Sequence, residues 1–286
     1  MTPTSPPVAT WELGLRLREI REREDLHPAD VAKSIGITQN YLSNVEHGRR
    51  TIAEEKLVAL IDTYSAHQER EELVALRRIC DRRGWWSRYN TALPAELVKL
   101  FSYTHGATAI RSYEGSLVSG LLQTEDYARA VHRGDVGNLR ASDVETRVEA
   151  RLRSQERLHG PEPLCTTIVM SEATLWQQVG GTAVLAGQLE HLLTVTDQLA
   201  TTLDLRIIPF SANASGALGS STFHVLEFAS DRVRRLAWHE TVITLQLLDD
   251  ETRIHCYDTC FADALDRAAD PDASKKLITH ALEHIT

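Results

Sequence analysis

The sequence predicts a multidomain protein in which a small all-α domain precedes a larger mixed α/β or α+β domain. Near the N-terminus, apolar residues such as Leu13, Leu17 and Ile20 recur at helical spacing. Later in the chain, amphipathic stretches alternate with short apolar runs rich in β-branched residues, which is the pattern of helices interspersed with strands. A chain of 286 residues is long enough to bury the cores of two ordinary domains.

The composition is that of a soluble globular protein, with 42% hydrophobic and 25% charged residues. No apolar run reaches the roughly 18 residues that a membrane span needs, and no signal peptide opens the chain. The four cysteines are too few and too scattered for a disulfide framework. We therefore expect a protein of the reducing cytoplasm that has no membrane partner.

The predicted domain boundaries follow changes in composition. Residues 1–10 are rich in Pro, Thr and Ser and offer little to bury, so we expect a disordered tail there. Residues 11–83 form the predicted helical domain and residues 84–286 the mixed domain. At the junction, basic residues interleave with aromatic ones, a pattern that binds single-stranded nucleic acid by stacking. Because this run is short and lies between domains, we favour Trp85 and Trp86 as anchors of a linker.

The formal net charge of −9 is unevenly distributed along the chain. From Trp11 to Gly84, 13 Lys and Arg residues stand against 14 Asp and Glu residues, whereas the remainder has 18 basic and 26 acidic residues. The acidity therefore lies mainly in the second domain. A local basic face in the first domain remains able to dock on phosphate groups.

Residues 28–50 predict two short helices joined by a tight turn. Pro28 stands where the first turn of a helix tolerates proline, and this helix extends to Ile35. Gly36 suits the tight turn because a residue without Cβ tolerates positive φ. Thr38 is placed to cap the next helix.

The second of these helices has an unusual outward face. Its predicted inward residues are Tyr41, Leu42 and Val45. Its predicted outward residues are Gln39, Asn40, Ser43 and Asn44. A solvated face normally bears Lys and Glu, whereas short amides pair in bidentate fashion with adenine. This pattern predicts a helix that reads the major groove; the alternatives are a small helical bundle with a polar face, or a domain used for protein contact.

The tract ITQNYLSNVEHGRR is the basis of a resemblance over residues 11–65. This region resembles the five-helix DNA-binding domains of the phage-repressor (Cro/xenobiotic-response-element) family. The resemblance implies that Gln39, Asn40 and Asn44 read base edges and that His47 and Arg49 contact phosphate. It also implies a partly buried ion pair between Arg21 and Glu46.

The remaining predicted DNA contacts come from the ends of the reading helix. Gly48 ends this helix, and Arg49 and Arg50 follow it as natural phosphate contacts. The full set expected to fix the register on phosphates is Thr38, Ser43, His47, Arg49 and Arg50. Because one such helix contacts only a half-site, we expect a homodimer on palindromic DNA.

In the second domain, helical and strand patterns alternate. The predicted helices span residues 94–103, a stretch from about 124, and residues 142–159, 184–199, 261–269 and 274–285. The predicted strands span residues 164–170, 203–210, 222–228, 235–238 and 242–247. Ser142 and Glu145 form a capping box at the start of the third helix. The small-residue tract 211–221 is expected to be a connector, with a lid as the alternative.

A second resemblance covers residues 84–240. Its matching tracts are GWWSRYN, SGLLQTEDYARA, RVEARLRSQERL, SEATLWQQVGG, GQLEHLL, RIIPFSANASGALGSSTFHVLEF and AWHE. They resemble the uncharacterised C-terminal domain of the actinomycete WhiJ-type regulators, also described as antitoxin-like regulators. This implies a transcriptional regulator, often encoded beside a small partner protein, and it supplies no catalytic residues.

From these resemblances we expect three kinds of partner: double-stranded DNA, a second copy of the chain, and a small partner protein or small-molecule effector acting through the second domain. In the alternative, the protein acts chiefly as an antitoxin that sequesters the small partner and binds DNA for autoregulation.

Few residues of the second domain suggest chemistry. His239 and Glu240 lack the second histidine, one helical turn further on, that a zinc-protease motif requires. Cys256 and Cys260 have only His280 and His284 as nearby candidates for a second ligand pair. We therefore predict no catalytic residue, metal or cofactor and do not expect an enzyme, with a hydrolase using His239 and Glu240 as a weaker alternative.

Two charged clusters are interpreted as solvated surface. The run Asp249-Asp250-Glu251 is expected to form a turn between strands rather than a magnesium site. Arg147, Arg151, Arg153 and Arg157 form a basic rim along one helix. We interpret this rim as an ordinary solvated face, with an anion site as the alternative.

Overall fold

The computed structural model describes residues 4–134, 143–213, 216–241 and 244–285. The chain divides into two compact units, Met1–Ser87 with Phe228–Arg234, and Arg88–Glu227 with Arg235–Thr286. Within the described residues, no helix has the length and apolar character needed to cross a membrane.

In its described part, the first unit is built from five α-helices. They are α1 (Pro6–Arg23), α2 (Pro28–Ser34), α3 (Gln39–Glu46), α4 (Glu54–Thr63) and α5 (Arg70–Cys80). Each contributes apolar side chains at helical spacing to one shared core, which includes Leu17, Val31, Leu42, Leu57 and Leu73. These residues are fully or almost fully buried.

The expectation of a disordered tail over residues 1–10 is wrong for its second half. Helix α1 begins at Pro6, and Val8 and Ala9 are buried. Proline is well suited to the first turn of a helix, where its missing N–H has no partner to lose. The prolines that suggested a tail therefore start a helix, and the apolar residues that follow extend its buried stripe.

Helix α1 packs very closely on α3, and glycine makes this approach possible. A Cβ on Gly14 would lie 2.2 Å from the carbonyl oxygen of Val45. Gly48, which follows α3, has a φ of +66°, and a Cβ there would lie 2.5 Å from the Cα of Trp11. Backbone meets backbone at both points, so a larger residue at either position requires the helices to separate.

A buried ion pair joins the same two helices. The Arg21 Nε and Nη2 atoms donate to the two carboxylate oxygens of Glu46 at 2.7 Å and 2.9 Å. The third nitrogen, Nη1, donates to the Leu26 carbonyl oxygen at 3.1 Å. Arg21 and Glu46 are both buried, and hydrogen bonding to Glu46 raises the pKa of Arg21. This bidentate pair links the end of α1, the end of α3 and the loop before α2.

The second unit combines helices with one mixed sheet. Its described helices are α6 (Ala95–Gly106), α7 (Glu125–Gly134), α8 (Val144–Gln155), α9 (Thr182–Gln198), α10 (Glu251–Arg267) and α11 (Pro271–Ile285). Its described strands are β1 (Ala109–Glu114), β2 (Cys165–Ser171), β3 (Leu203–Ile208), β4 (Phe223–Glu227), β5 (Leu236–Glu240) and β6 (Leu245–Leu248). The predicted fold class, a helical domain followed by a mixed α/β domain, is confirmed.

The strand order in the sheet is β3-β2-β1-β4-β5-β6. Strands β1, β2 and β3 run parallel, while β4, β5 and β6 continue the sheet in antiparallel fashion. One face of β2 and β3 packs on α9 and α11 through Ile168, Met170 and Leu189. The other face packs on α10 through Val169 and Phe261.

Three of the differences from the sequence prediction have a clear physical reason. Strand β1 has no counterpart among the predicted strands because its residues Arg111, Ser112 and Glu114 interrupt any apolar run. Helix α10 begins at Glu251, ten residues before the predicted start. The prediction of an inter-strand turn at 249–251 is therefore wrong, since the Asp250 carboxylate caps α10 by accepting from the Arg253 N–H at 2.9 Å.

Parts of three other predictions lie outside the described residues. These are Ser142 of the capping box, residues 214 and 215 of the small-residue tract, and residues 242 and 243 at the start of the last predicted strand. Residues 1–3 of the predicted tail also lie outside the described residues.

We expect Gly14→Ala to lower the free energy of unfolding of the helical unit by about 1–3 kcal/mol, because the new methyl group would overlap the Val45 carbonyl. Urea unfolding followed by circular dichroism measures this change. Gly187→Ala in α9 is the matched control, since nothing lies within 4 Å of a Cβ there. The control should stabilise by about 0.5–1 kcal/mol, and equal effects of the two variants would contradict the close approach of α1 to α3.

We expect Arg21→Met to cost about 3 kcal/mol of unfolding free energy, because it leaves the Glu46 carboxylate buried without its partner. The double variant Arg21→Met with Glu46→Leu should recover much of this loss, since both charges are then removed. Denaturant unfolding of the two single variants and the double variant forms a complete cycle. Additive losses would show that the two side chains are not coupled.

Candidate nucleic-acid interface

Local hydrogen bonds fix the start of α2, the turn between α2 and α3, and the start of α3. His27 Nδ1 accepts from the Ala29 N–H at 3.3 Å at the start of α2. Gly36 has a φ of +67°, and the next N–H, that of Ile37, donates to the Ala32 carbonyl at 2.9 Å. Thr38 Oγ1 accepts from the Tyr41 N–H at 3.1 Å and caps α3. The Thr38 side chain therefore satisfies one of the N–H groups that the first turn of α3 leaves without a partner inside the helix.

The inward face of α3 belongs to the core of the helical unit. Leu42 and Val45 are fully buried, and Tyr41 is half-buried. Their spacing places Gln39, Asn40, Ser43 and Asn44 on the opposite side of the helix.

The outward face of α3 is polar and uncharged. Gln39, Asn40 and Ser43 are exposed and Asn44 is half-buried. The Asn44 Nδ2 group donates to Asn40 Oδ1 at 3.4 Å, so these two amides are aligned along the helix. The face offers both hydrogen-bond donors and acceptors, which is the combination that an adenine edge in the major groove requires.

His47 lies just after α3 and folds back on it. Its Nδ1 atom is 2.7 Å from the Ser43 carbonyl oxygen and 3.4 Å from Ser43 Oγ. A hydrogen bond to the carbonyl requires the proton on Nδ1, which leaves Nε2 of the neutral ring as an acceptor. His47 can therefore donate to a phosphate through Nε2 only as imidazolium.

Two exposed arginines follow Gly48. The Arg49 N–H donates to the Asn44 carbonyl at 2.8 Å, which turns the chain back over the end of α3. The Arg50 guanidinium stacks on the Tyr41 ring, with its central carbon 4.6 Å from the ring centroid. Among the described residues, neither guanidinium has a carboxylate within ion-pair distance. Both charges remain available to phosphate groups.

The structure places together all of the residues that the sequence predicted for DNA contact. They lie within or beside one short helix: Thr38, Gln39, Asn40, Ser43, Asn44, His47, Arg49 and Arg50. The Arg21–Glu46 ion pair implied by the resemblance is present at the inner end of the same helix.

Sequence reasoning missed two supporting contacts. Lys56 Nζ donates to the Ile35 carbonyl at 2.7 Å and so closes the end of α2. Tyr41, assigned only an inward role, also supports Arg50. Neither contact has a local sequence signal, because each depends on how separate segments pack.

The aromatic run at the domain junction forms a short 3-10 helix, Trp85–Tyr89. The rings of Trp85 and Trp86 meet edge to face with centroids 5.8 Å apart. Trp86 and Tyr89 are buried, so these two rings do not offer a surface for stacking bases. The burial supports the interpretation of this run as a structural anchor.

The other candidate groups do not form a catalytic arrangement in the described part of the chain. His239 and Glu240 are consecutive on β5, so their side chains point to opposite faces of the sheet. The His239 ring packs near Tyr257, while Glu240 accepts from Trp238 Nε1 at 3.4 Å. Within the described residues, the one group with metal-ligand spacing is His280, Glu283 and His284, all exposed on α11, and it includes neither Cys256 nor Cys260.

Two family models match the chain. A model described as a helix-turn-helix domain matches residues 12–73, the region of α1 to α5. A model described as a domain of unknown function (DUF5753) matches residues 97–280, within the second unit. No curated protein matches the chain. No solved structure matches it either. Because the second model covers more than half of the 286 residues, the chain belongs to the DUF5753 family, and it carries a helix-turn-helix domain ahead of that domain.

Proposed function

We propose that the protein is a sequence-specific, double-stranded-DNA-binding transcriptional regulator of the phage-repressor type. The observation that carries this proposal is the uncharged amide face of α3, bordered by the guanidinium groups of Arg49 and Arg50, which form no ion pair in the described part of the chain. Gln39, Asn40 and Asn44 read base edges in the major groove. Thr38, Ser43, His47, Arg49 and Arg50 hold the register on phosphates.

The ion pair at the inner end of α3 supports this role. Base reading requires side chains held in a fixed geometry, and the Arg21–Glu46 pair ties α3 to α1 through two hydrogen bonds. Close backbone packing at Gly14 restrains the same helix. The amide face of α3 is therefore held in a fixed orientation in the absence of DNA.

The remaining parts of the proposal concern assembly and control. Two copies of the chain bind a palindromic site, because a single α3 covers only a half-site. The second domain, of the WhiJ type, transmits a signal from a small partner protein or a small-molecule effector. The protein acts by binding and not by catalysis, and the opposed directions of His239 and Glu240 support this.

We expect Gln39→Ala to weaken binding to a selected cognate duplex by roughly 1–3 kcal/mol, because one bidentate base contact is lost. Binding to random duplex should hardly change. Selection from a random pool supplies the cognate sequence, and fluorescence anisotropy measures both affinities at one salt concentration. Gln68→Ala, also exposed but between α4 and α5, is the matched control. Equal losses on cognate and random duplex would overturn the assignment of Gln39.

We expect Arg49→Ala and Arg50→Ala to weaken binding to cognate and random duplex alike. Each lost phosphate contact should reduce the slope of log affinity against log salt by about 0.9. Salt titrations of the two variants and of Arg78→Ala, an exposed arginine on α5, measure this slope. An unchanged slope in both variants, or the same reduction in Arg78→Ala, would remove these residues from the interface.

A further inference from the structure

Polar side chains gather on one face of the sheet in the second unit, across three adjacent strands. Ser112 of β1 pairs in register with His224 of β4, which pairs in turn with Trp238 of β5. Because alternate residues of a strand share a face, Glu114 and Glu240 lie on this face as well. Such a polar face inside a folded domain is uncommon and needs a physical reason.

The β1 and β4 groups form a hydrogen-bonded cluster. Ser112 Oγ lies 2.7 Å from Glu114 Oε1 and 2.8 Å from His224 Nδ1. Thr222 Oγ1 donates to the other carboxylate oxygen, Glu114 Oε2, at 3.0 Å. Ser112 and Glu114 are buried. The carboxylate is bonded to the serine and not to the histidine ring, so this is not the Ser–His–carboxylate order of a hydrolase.

Arg151 of α8 lies beside this cluster without a partner of its own. Its Nε atom is inaccessible to solvent and has no hydrogen-bond acceptor among the residues that the structure describes. Among the described residues, no carboxylate oxygen lies within 4.0 Å of its guanidinium. The side chain passes directly over the backbone at Gly120, where an added Cβ would overlap it. The residue as a whole is half-buried, so part of it is reachable from solvent.

The charge of Arg151 also acts on titratable groups around it. Burial, with a contribution from the charge of Arg151, lowers the pKa of His224 to about 4. Burial, with contributions from Arg151 and Arg147, lowers the pKa of His132 on α7 to about 3. Both rings are therefore neutral near pH 7. Burial lowers the pKa of Arg151, against the attraction of Glu240 and Glu114.

Arg151 differs from two other arginines of the predicted basic rim. Arg153 is exposed and pairs with Glu156 at 2.6 Å. Arg157 donates to the carbonyl oxygens of His105 and Ala107 at 3.1 Å and 2.9 Å, so it holds backbone in place. Arg153 is therefore an ordinary solvated residue, and Arg157 has a structural role. Neither role accounts for Arg151, whose half-buried guanidinium has no carboxylate at ion-pair distance among the described residues.

We propose that Arg151 is the anchor of a binding site for a small monocarboxylate, with the Ser112–Glu114–His224 cluster as its polar floor. A partly buried guanidinium without a carboxylate at ion-pair distance is costly, and a bound anion supplies that partner. The planar fork of arginine matches a carboxylate in bidentate fashion. The nearby Glu240 disfavours a dianion such as phosphate more than a monoanion through like-charge repulsion.

The protonation of Glu114 supports this choice of ligand. Burial raises the pKa of Glu114 to about 7, so near neutral pH a large share of these carboxyl groups is protonated. A protonated carboxyl group donates a hydrogen bond to a carboxylate rather than repelling it. The binding step stands independently of DNA; only its use as an effector site rests on the proposed function.

Thermal unfolding of the full chain in sodium acetate tests the proposal, with sodium chloride keeping the ionic strength constant. Wild type should show a saturable rise in Tm with acetate. Arg151→Gln should lose this rise, with at least a tenfold weaker midpoint, whereas Arg153→Gln on the same helix should retain it. No rise in wild type, or the same rise in Arg151→Gln, overturns the site. A larger saturable response to inorganic phosphate than to acetate overturns the choice of a carboxylate.

A second measurement covers the case in which Arg151→Gln does not fold. In wild type labelled with ¹⁵N-arginine, acetate should shift the Nε–H signal of Arg151, assigned through its own side-chain spin system, and leave that of Arg153 in place. An unmoved Arg151 signal overturns the proposal. Neither measurement involves DNA, so their failure is distinguishable from failure of the proposed regulator function.

Discussion

The ion pair between Arg21 and Glu46 is the contact on which the proposed interface depends. It joins α1, α3 and the loop before α2 by three hydrogen bonds from one guanidinium. A buried pair of this kind gains little stability over an apolar substitute, but it is directional. The carboxylate accepts in one plane and the fork donates in the same plane, so the pair specifies the rotation of α3 about its own axis.

That rotation decides which side chains the helix presents. Turning α3 by one residue would replace an outward amide with an inward apolar group, because neighbouring residues lie about 100° apart on a helix. Gly14 allows α3 to approach α1 this closely, and the ion pair fixes the rotation of α3 about its axis. The close packing therefore sets the distance of α3 from α1, whereas the ion pair sets its rotation.

The features that could be predicted from the sequence are those whose determinants are local. Gly36, Thr38 and Gly48 mark the turn, the start and the end of α3 within a single short stretch, and the structure uses each of them in that way. The start of α1 is not predictable from composition, because proline occurs both in disordered tails and in the first turn of helices. The start of α10 is ambiguous in the same way, because Asp favours both turns and N-caps.

The polar cluster of the second unit could not be predicted in this way. Ser112 and His224 are 112 residues apart in the chain, and nothing local to either indicates the other. Strand β1 itself was missed because the residues that make the cluster also break its apolar pattern. Arg151 was recognised as part of a basic rim, but its lack of a partner is visible only once α8 lies against Gly120.

The central position of β1 also has a consequence for synthesis. This strand pairs with β2 on one side and with β4 on the other, and β4 is translated long after it. At an elongation rate of about 5–20 residues per second, one edge of β1 stays unpaired for several seconds until β4 is synthesised. An unpaired edge is prone to join another chain, and charged groups within a strand oppose such pairing. The arginine and glutamate of β1 are charged groups of the kind that oppose such pairing.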